Sequence, residues 1–423
     1  MPHRGAEAGP GRNPFPTPLL AAVVEEFGTP SFVYSVPAVD ARVRELRATF
    51  VDCAFSFAMK SNPNAELLVR METLVEGLDV SSGGELALAL ERGWPAERVR
   101  FTGPTKRTED LALAVDQGVG AVVLESLEEA RELSELARTR GRVQSVLVRI
   151  DPAHAPRGFG VQLGGKPSRF GIDEDELEEA LDEIRRLEGV RTSGLHVFVG
   201  TQCLNEDSLV QHLEDCAARF LRFGERLEAP ETFVFGAGFG IPYADKDEPL
   251  DLRRLAKRAQ PALHALKARF PQARQVLEMG RFLVGEAGLY LTRVQRVKAS
   301  RGSELALIDG GMHHHAAACG LLGGVLHRNY PMFVVGREDA SPEEHRRYDL
   351  VGPLCTAIDT LARRAALPPL AAGDVVAVRS SGAYGPSASP GRFLGHPAAR
   401  EVLLEEGERG LRARDVTPGP EEA

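Results

Sequence analysis

A chain of 423 residues is long enough to bury a sizeable core, and its 43% hydrophobic and 26% charged residues are those of an ordinary globular protein. A net charge of −9 argues against a broad nucleic-acid footprint, so any anion site must be built locally from glycines and single arginines. No run reaches the roughly 18 apolar residues of a membrane span, and no apolar stretch marks the N-terminus as a secretory signal.

Residues 1–30, rich in Pro, Gly and Arg up to about Pro18, read as a flexible segment. Residues 31–36 form a strand candidate, followed by a helical stretch to about Phe50. A regular alternation then begins. Apolar strands are expected at 54–59, 78–81, 99–102, 121–124, 145–150, 193–199, 233–236 and 276–279. Between them, 65–75, 85–92, 109–117, 127–140, 174–187, 208–227 and 252–270 carry apolar residues at three- and four-residue spacing. Strands alternating with helices imply a parallel sheet, and eight such units favour a closed (β/α)8 TIM barrel over residues 31–284.

After Arg281 the rhythm changes. Strand-like runs at 289–298, 304–308 and 374–379 lack regular helices between them, so a mainly β domain is expected over 285–404. The strand at 31–36 is free to join either domain. Residues 405–423 are mostly charged and read as a poorly ordered tail. Cys53, Cys203, Cys216, Cys319 and Cys355 are scattered with no CxxC pair, which argues against a disulfide framework or zinc site and fits a reducing cytoplasm.

In a barrel of this kind chemistry sits at the C-terminal ends of the strands. The first expected strand ends on Lys60, and Asn62-Pro63 breaks it. That lysine is either a surface residue ending a strand or an amine held at the barrel rim for Schiff-base chemistry. The second strand runs into Asp79-Val-Ser-Ser-Gly-Gly-Glu85, where Ser82 suits a helix N-cap as well as a site role. In the sixth, His196 and Phe198 share one face. The seventh ends in Gly236-Ala-Gly-Phe-Gly240, which fails as a dinucleotide fingerprint because Ile241-Pro242 follows, but suits a phosphate cradle of backbone N–H groups. The eighth ends in Glu278-Met-Gly-Arg281, a structural ion pair or two contacts to one ligand. His313-His314-His315 tempts a metal reading, but consecutive side chains point in different directions, and no metal is expected.

These motifs, with Ala58-Met-Lys60-Ser-Asn62, Gly352-Pro-Leu-Cys355 and Gly382-Ala-Tyr-Gly385, resemble the fold-type III pyridoxal-phosphate decarboxylases, the family of the diaminopimelate and ornithine enzymes. Asp309-Gly-Gly-Met-His-His-His-Ala316 and Phe393-Leu-Gly-His-Pro397 resemble a narrower branch, which acts on a glutamyl group carried by an acyl carrier protein in the butirosin pathway. The resemblance implies an alanine racemase-like barrel, a cofactor of pyridoxal 5'-phosphate, a homodimer and a place in natural-product biosynthesis. It implies that Lys60 holds the cofactor as an imine. Gly236, Gly238, Gly280, Arg281 and Tyr384 would bind the phosphate, and Glu278 the ring nitrogen. Catalytic Cys355 would come from the partner subunit.

Two departures from the family pattern bear on this. Phe198 stands where a histidine usually stacks on the cofactor ring, and Thr356 stands where diaminopimelate decarboxylases place an acid for the far ammonium of their substrate. The expected reaction is therefore decarboxylation of an amino acid tethered to a carrier protein. Free diaminopimelate or a basic amino acid is the alternative, and a racemase or a non-catalytic cofactor-binding regulator is disfavoured. Arg328, Tyr330 and Asp359 are the expected substrate contacts.

Overall fold

The computed structural model describes residues 15–244, 246–321, 328–408 and 410–419, which cluster into two compact units. One runs from Leu46 to Pro242 and from Asp247 to Phe282; the other holds the described residues up to Glu45, those near Tyr243, and the chain from Leu283 onward.

The first strand, β1 (Ser31–Ser35), belongs to the second unit. The first unit is built on β2 (Cys53–Ala58), β3 (Gly77–Val80), β4 (Val99–Phe101), β5 (Ala121–Leu124), β6 (Gln144–Asp151), β7 (Val190–Val197), β8 (Thr232–Gly236) and β9 (Arg274–Met279). Each lies parallel to its neighbours, and β9 returns to β2 through the register Glu278↔Ser56 and Met279↔Phe57. The closed eight-strand barrel and all seven intervening helices are those expected; only the helix over 174–187 is shorter, Leu177–Ile184. Side chains alternate along a strand, so each strand delivers its interior in steps of two. Ala54, Ala121, Val123, Leu147, Val234 and Val276 form an apolar interior layer. Two residues further along the same strands stand Ser56, Arg149, Gly236 and Glu278. Along the barrel axis this apolar layer therefore gives way to a polar one toward the C-terminal ends of the strands. A cavity of about 400 Å³ lies at the N-terminal end, lined by Arg98, Arg274, Glu97 and Glu231 among others. It is at the opposite end from Lys60, the face of such a barrel that serves stability rather than chemistry.

The second unit is a mixed sheet. Its strands are β1, β10 (Gly288–Ser300), β11 (Ser303–Ile308), β12 (Met332–Val334), β13 (Arg346–Val351), β14 (Thr360–Leu367), β15 (Val375–Val378), β16 (Arg400–Gly407) and β17 (Gly410–Asp415). The order is β14-β13-β11-β10-β1-β16-β17, with β15 joining β10 to β12. Strand β1 joins this sheet, Val33 lying opposite both Leu289 and Val402.

The two expected flexible ends differ from expectation where they are described. Thr17–Phe27 is a helix, because Leu20 and Val23 at helical spacing are fully buried against Val33, Leu289, Leu291 and Leu404. The charged tail forms β17, paired from Val402↔Asp415 to Gly407↔Gly410, and its charges lie on partly exposed positions. Residues 1–14 and 420–423 of those segments lie outside the described residues.

The histidine run forms a single turn, Met312–His315, with all three rings buried and the His313 and His314 rings 3.8 Å apart, centroid to centroid. His314 meets the Pro397 carbonyl at 2.8 Å and Tyr290 Oη at 3.3 Å, and His315 meets Ser381 Oγ at 3.0 Å. Among the described residues no group of His, Cys, Asp or Glu is arranged to hold a metal ion. Burial pushes the imidazole of His315 down to about 3, and burial with the neighbouring His314 pushes His313 down to about 4, from an ordinary 6.5. Both stay neutral in the folded chain and gain protons on unfolding, so the unfolded state binds more protons as pH falls below about 6.5. Stability is therefore lost as pH falls from about 6.5 toward 4. Urea midpoints should drop over that window, and His315→Asn should flatten the drop; an unchanged slope in the variant would contradict this reading.

Candidate active site

The site begins at the end of β2. Ala58 is the last strand residue, and Met59–Ser61 turn as one 3-10 step. Ser61 Oγ donates to the Ala58 carbonyl at 2.8 Å, and Asn62 N–H to the Met59 carbonyl at 3.0 Å. Asn64 Oδ1 then caps the next helix through the N–H groups of Glu66 and Leu67. Met59 and Ser61 are buried by this turn, whereas Lys60 between them is exposed. The turn thus holds its backbone rigidly and presents one ammonium.

The end of β9 is held against that turn. A Cβ on Gly280 would stand 2.8 Å from the Cβ of Ser61 and 3.2 Å from the Ala58 carbonyl, so only glycine permits this approach. Two residues back, Glu278 is 8% exposed, and its Oε2 lies 2.8 Å from Nε2 of His196, which is 2% exposed. Burial acts to raise the Glu278 pKa. The hydrogen bond from His196 and the charges of Lys60 and Arg100 outweigh it, and the carboxyl is held well below the usual carboxylate range. Beside it, Arg100 Nε donates to Asp79 Oδ1 at 2.8 Å, and Ser56 Oγ also bonds Asp79. Glu85 reaches back to the Ser81 N–H at 2.7 Å while Ser82 Oγ accepts from the Glu85 N–H at 3.1 Å, so Ser82 serves as the helix N-cap. Burial raises the Glu85 carboxyl, partly offset by the Ser81 amide and by Lys60.

Phe198 forms one wall. Lys60 Nζ lies 5.6 Å, and Arg149 Cζ 5.8 Å, from its ring centroid. Arg149 also pairs with buried Glu125 at 3.0 Å. The turn after β8 packs on the same ring: a Cβ on Gly236 would run into Phe198. Gly238 has φ +69, and a Cβ there would strike Phe159 and the Gly200 carbonyl. From the helix Glu206–Gly224, His212 Nε2 donates to the Gly236 carbonyl at 2.9 Å, which fixes the turn from behind.

The second unit holds the remaining expected residues. Tyr384 adopts a left-handed φ of 56 in the loop whose Ser381 bonds His315 and the Val378 carbonyl. Cys355 is exposed, as is Ile358 at 52%. Asp359 is only 2% exposed, and its two oxygens accept the N–H groups of Met312 at 2.7 Å and Leu354 at 2.8 Å. It clamps the Cys355 loop to the histidine turn, and a Cβ on Gly311 or Gly352 would collide with it. Asp359 therefore serves as a structural clamp, buried and bonded to two backbone amides. Tyr330 is buried, 4.4 Å from the Tyr243 ring and 5.5 Å from His315, whereas Arg328 is exposed.

The barrel residues fit pyridoxal phosphate. An exposed lysine suits the aldehyde, a glycine cradle with no room for side chains suits the phosphate, and an ionised buried carboxylate suits a protonated ring nitrogen. Sequence reasoning left His196 without a duty and passed over the Asp79–Arg100 and Glu125–Arg149 pairs. The available signal was a charged or imidazole side chain inside an otherwise apolar strand, as in Val148-Arg149-Ile150.

Residues 36–285 match the family profile described as "Pyridoxal-dependent decarboxylase, pyridoxal binding domain". The chain is 36% identical over 402 residues to the L-glutamyl-[BtrI acyl-carrier protein] decarboxylase of Niallia circulans, covering 94% of each. It is 29% identical over 391 residues to the diaminopimelate decarboxylase of Aquifex aeolicus (strain VF5), covering 92% of this chain and 89% of that one. The crystal structure of AQ1208 from Aquifex aeolicus superposes with a TM-score of 0.82 at 27% identity, covering 94% of this chain and 91% of that one.

The packing of Gly236 on Phe198 is open to a double-mutant test. Gly236→Ala should destabilise the cofactor-free protein by about 1–3 kcal/mol, and Phe198→Ala in the same chain should relieve part of that loss. Strictly additive urea stabilities would mean that the two residues do not meet.

Proposed function

The chain belongs to the pyridoxal-dependent decarboxylase family, and from that premise we propose that it releases carbon dioxide from an amino acid tethered to an acyl carrier protein. It is a carboxy-lyase that uses pyridoxal 5'-phosphate. The observation that carries the tethered substrate is the Cys355 loop. Thr356 there is uncharged, and Asp359, the one carboxylate of residues 352–360, is buried and engaged by two backbone amides. The far ammonium of a free diaminopimelate would find no counter-charge on this loop, a costly loss in a desolvated site. The likeness to a decarboxylase named for a glutamyl carrier protein supports the same reading.

Bound in this site, pyridoxal phosphate supplies an electron sink for the bond broken at the substrate α-carbon. In our reading Lys60 anchors the cofactor, and its Nζ is placed to carry protons at the reacting carbon. Gly236, Gly238, Gly280 and Arg281, with Tyr384, seat the phosphate. Glu278 keeps the proton on the ring nitrogen, and Phe198 offers a flat apolar face to the ring. Arg328 and Tyr330 face the substrate. The working form is a homodimer in which each Cys355 serves the partner's site, and its exposure beside Ile358 leaves it available to a second copy. Five free thiols support a cytoplasmic location. Among the described residues no helix is long and apolar enough to cross a membrane.

Purified protein should show the near-visible absorbance of the lysine-bound cofactor, and Lys60→Ala should abolish it; an unchanged spectrum would overturn the anchor. Turnover should be faster on a glutamyl-loaded carrier protein than on the free amino acid by on the order of 100-fold, because carrier contacts supply remote binding energy. Release of carbon dioxide from free diaminopimelate at an equal or higher rate would reject the tethered substrate and leave a free-acid decarboxylase.

A further inference from the structure

Glu278, an expected cofactor contact, has a buried side-chain partner of its own. Its Oε2 is 2.8 Å from Nε2 of His196, on the strand two places along the barrel. Its Oε1 makes no hydrogen bond within the protein and is not sealed from solvent. On the far side of the imidazole, Nδ1 of His196 is buried and has no hydrogen-bond partner. These observations define a tautomer. A proton on Nδ1 would be a buried donor with no acceptor, which is costly, whereas a proton on Nε2 is satisfied by the carboxylate.

We infer that His196 is a positioning residue for this reaction: as the Nε2–H tautomer it pins Oε2 of Glu278, leaving Oε1 as the oxygen available to the ring nitrogen and leaving the pair with one net negative charge. This inference rests on the cofactor reading given above. One negative charge is the counter-charge of one protonated ring nitrogen. A doubly protonated His196 would cancel it and remove the reason for the ring to keep its proton. The other charged groups that act on Glu278 are Lys60, Arg100 and Asp79. Arg100 is committed to Asp79 through Nε and Nη2, and Lys60 is the anchor. His196 is thus the partner with no other bond to make. It also gives the imidazole two positions before Phe198 a task separate from stacking on the ring.

The experiment has two arms. In the cofactor-free protein, ¹⁵N-histidine spectra should show His196 at neutral pH with Nε2 protonated and Nδ1 bare. An Nδ1–H or doubly protonated ring would overturn the inference, and this arm does not depend on what the protein catalyses. In the loaded enzyme, His196→Leu should lower kcat and cofactor affinity roughly 10- to 100-fold, with KM changed little. His196→Gln places an N–H near the same oxygen and should recover most of both. A glutamine variant as impaired as the leucine variant, or a leucine variant with the cofactor affinity and kcat of the parent, would mean that the bond to Glu278 does not position it.

Discussion

A carboxylate placed inside a barrel keeps its charge only if its neighbours hold it there, and that constraint organises this chain's chemistry. Glu278 is nearly fully buried, yet its pKa lies below the usual carboxylate range because His196, Lys60 and Arg100 oppose the effect of burial. An unpaired charge at that depth would cost several kcal/mol. The two-residue alternation of β9 decides where it stands, with Val276 in the apolar layer and Glu278 in the polar one. Shifting that strand by a single residue would turn the acid out of the barrel.

Sterics complete what electrostatics begins. Gly280 lets the end of β9 touch the lysine turn, and Gly236 lets the next turn lie on Phe198. The ammonium, the aromatic face and the glycine turn thereby stand at the ends of strands whose closing turns approach because two positions carry no side chain. Buried His212 braces the glycine turn from the outer helix, and burial pushes its imidazole down to about 4, so it stays a neutral donor to the Gly236 carbonyl. In the second unit Asp359 plays the matching structural part, tying two loops together through backbone amides.

The barrel was legible because its signals are local. Each strand is a short apolar run, each helix has a 3.6-residue period, and the two alternate eight times. The positions of Lys60, the glycine turn and Glu278 at strand ends were legible for a related reason, whereas their duties toward a cofactor are implied by the resemblance alone. The partners were not. His196 and Glu278 are 82 residues apart, and nothing in either segment names the other. Asp359 looked like a ligand contact because its two backbone donors, Met312 and Leu354, lie on loops that only the fold brings to it. The helix Thr17–Phe27 was hidden by the Pro- and Gly-rich composition before it, and β17 by charges on an edge strand whose partner lies in β16. In both places composition spoke of exposure, and the apolar spacing within it spoke of burial.

The central claim is that the acid at the end of β9 keeps a cofactor ring cationic. It is tested most directly by ¹⁵N spectroscopy of the holoenzyme loaded with ring-labelled pyridoxal phosphate. The account predicts a ring nitrogen that stays protonated across the neutral range in the parent and loses that proton in Glu278→Gln. A bare ring nitrogen in the parent, or a signal that the substitution leaves unmoved, would contradict it.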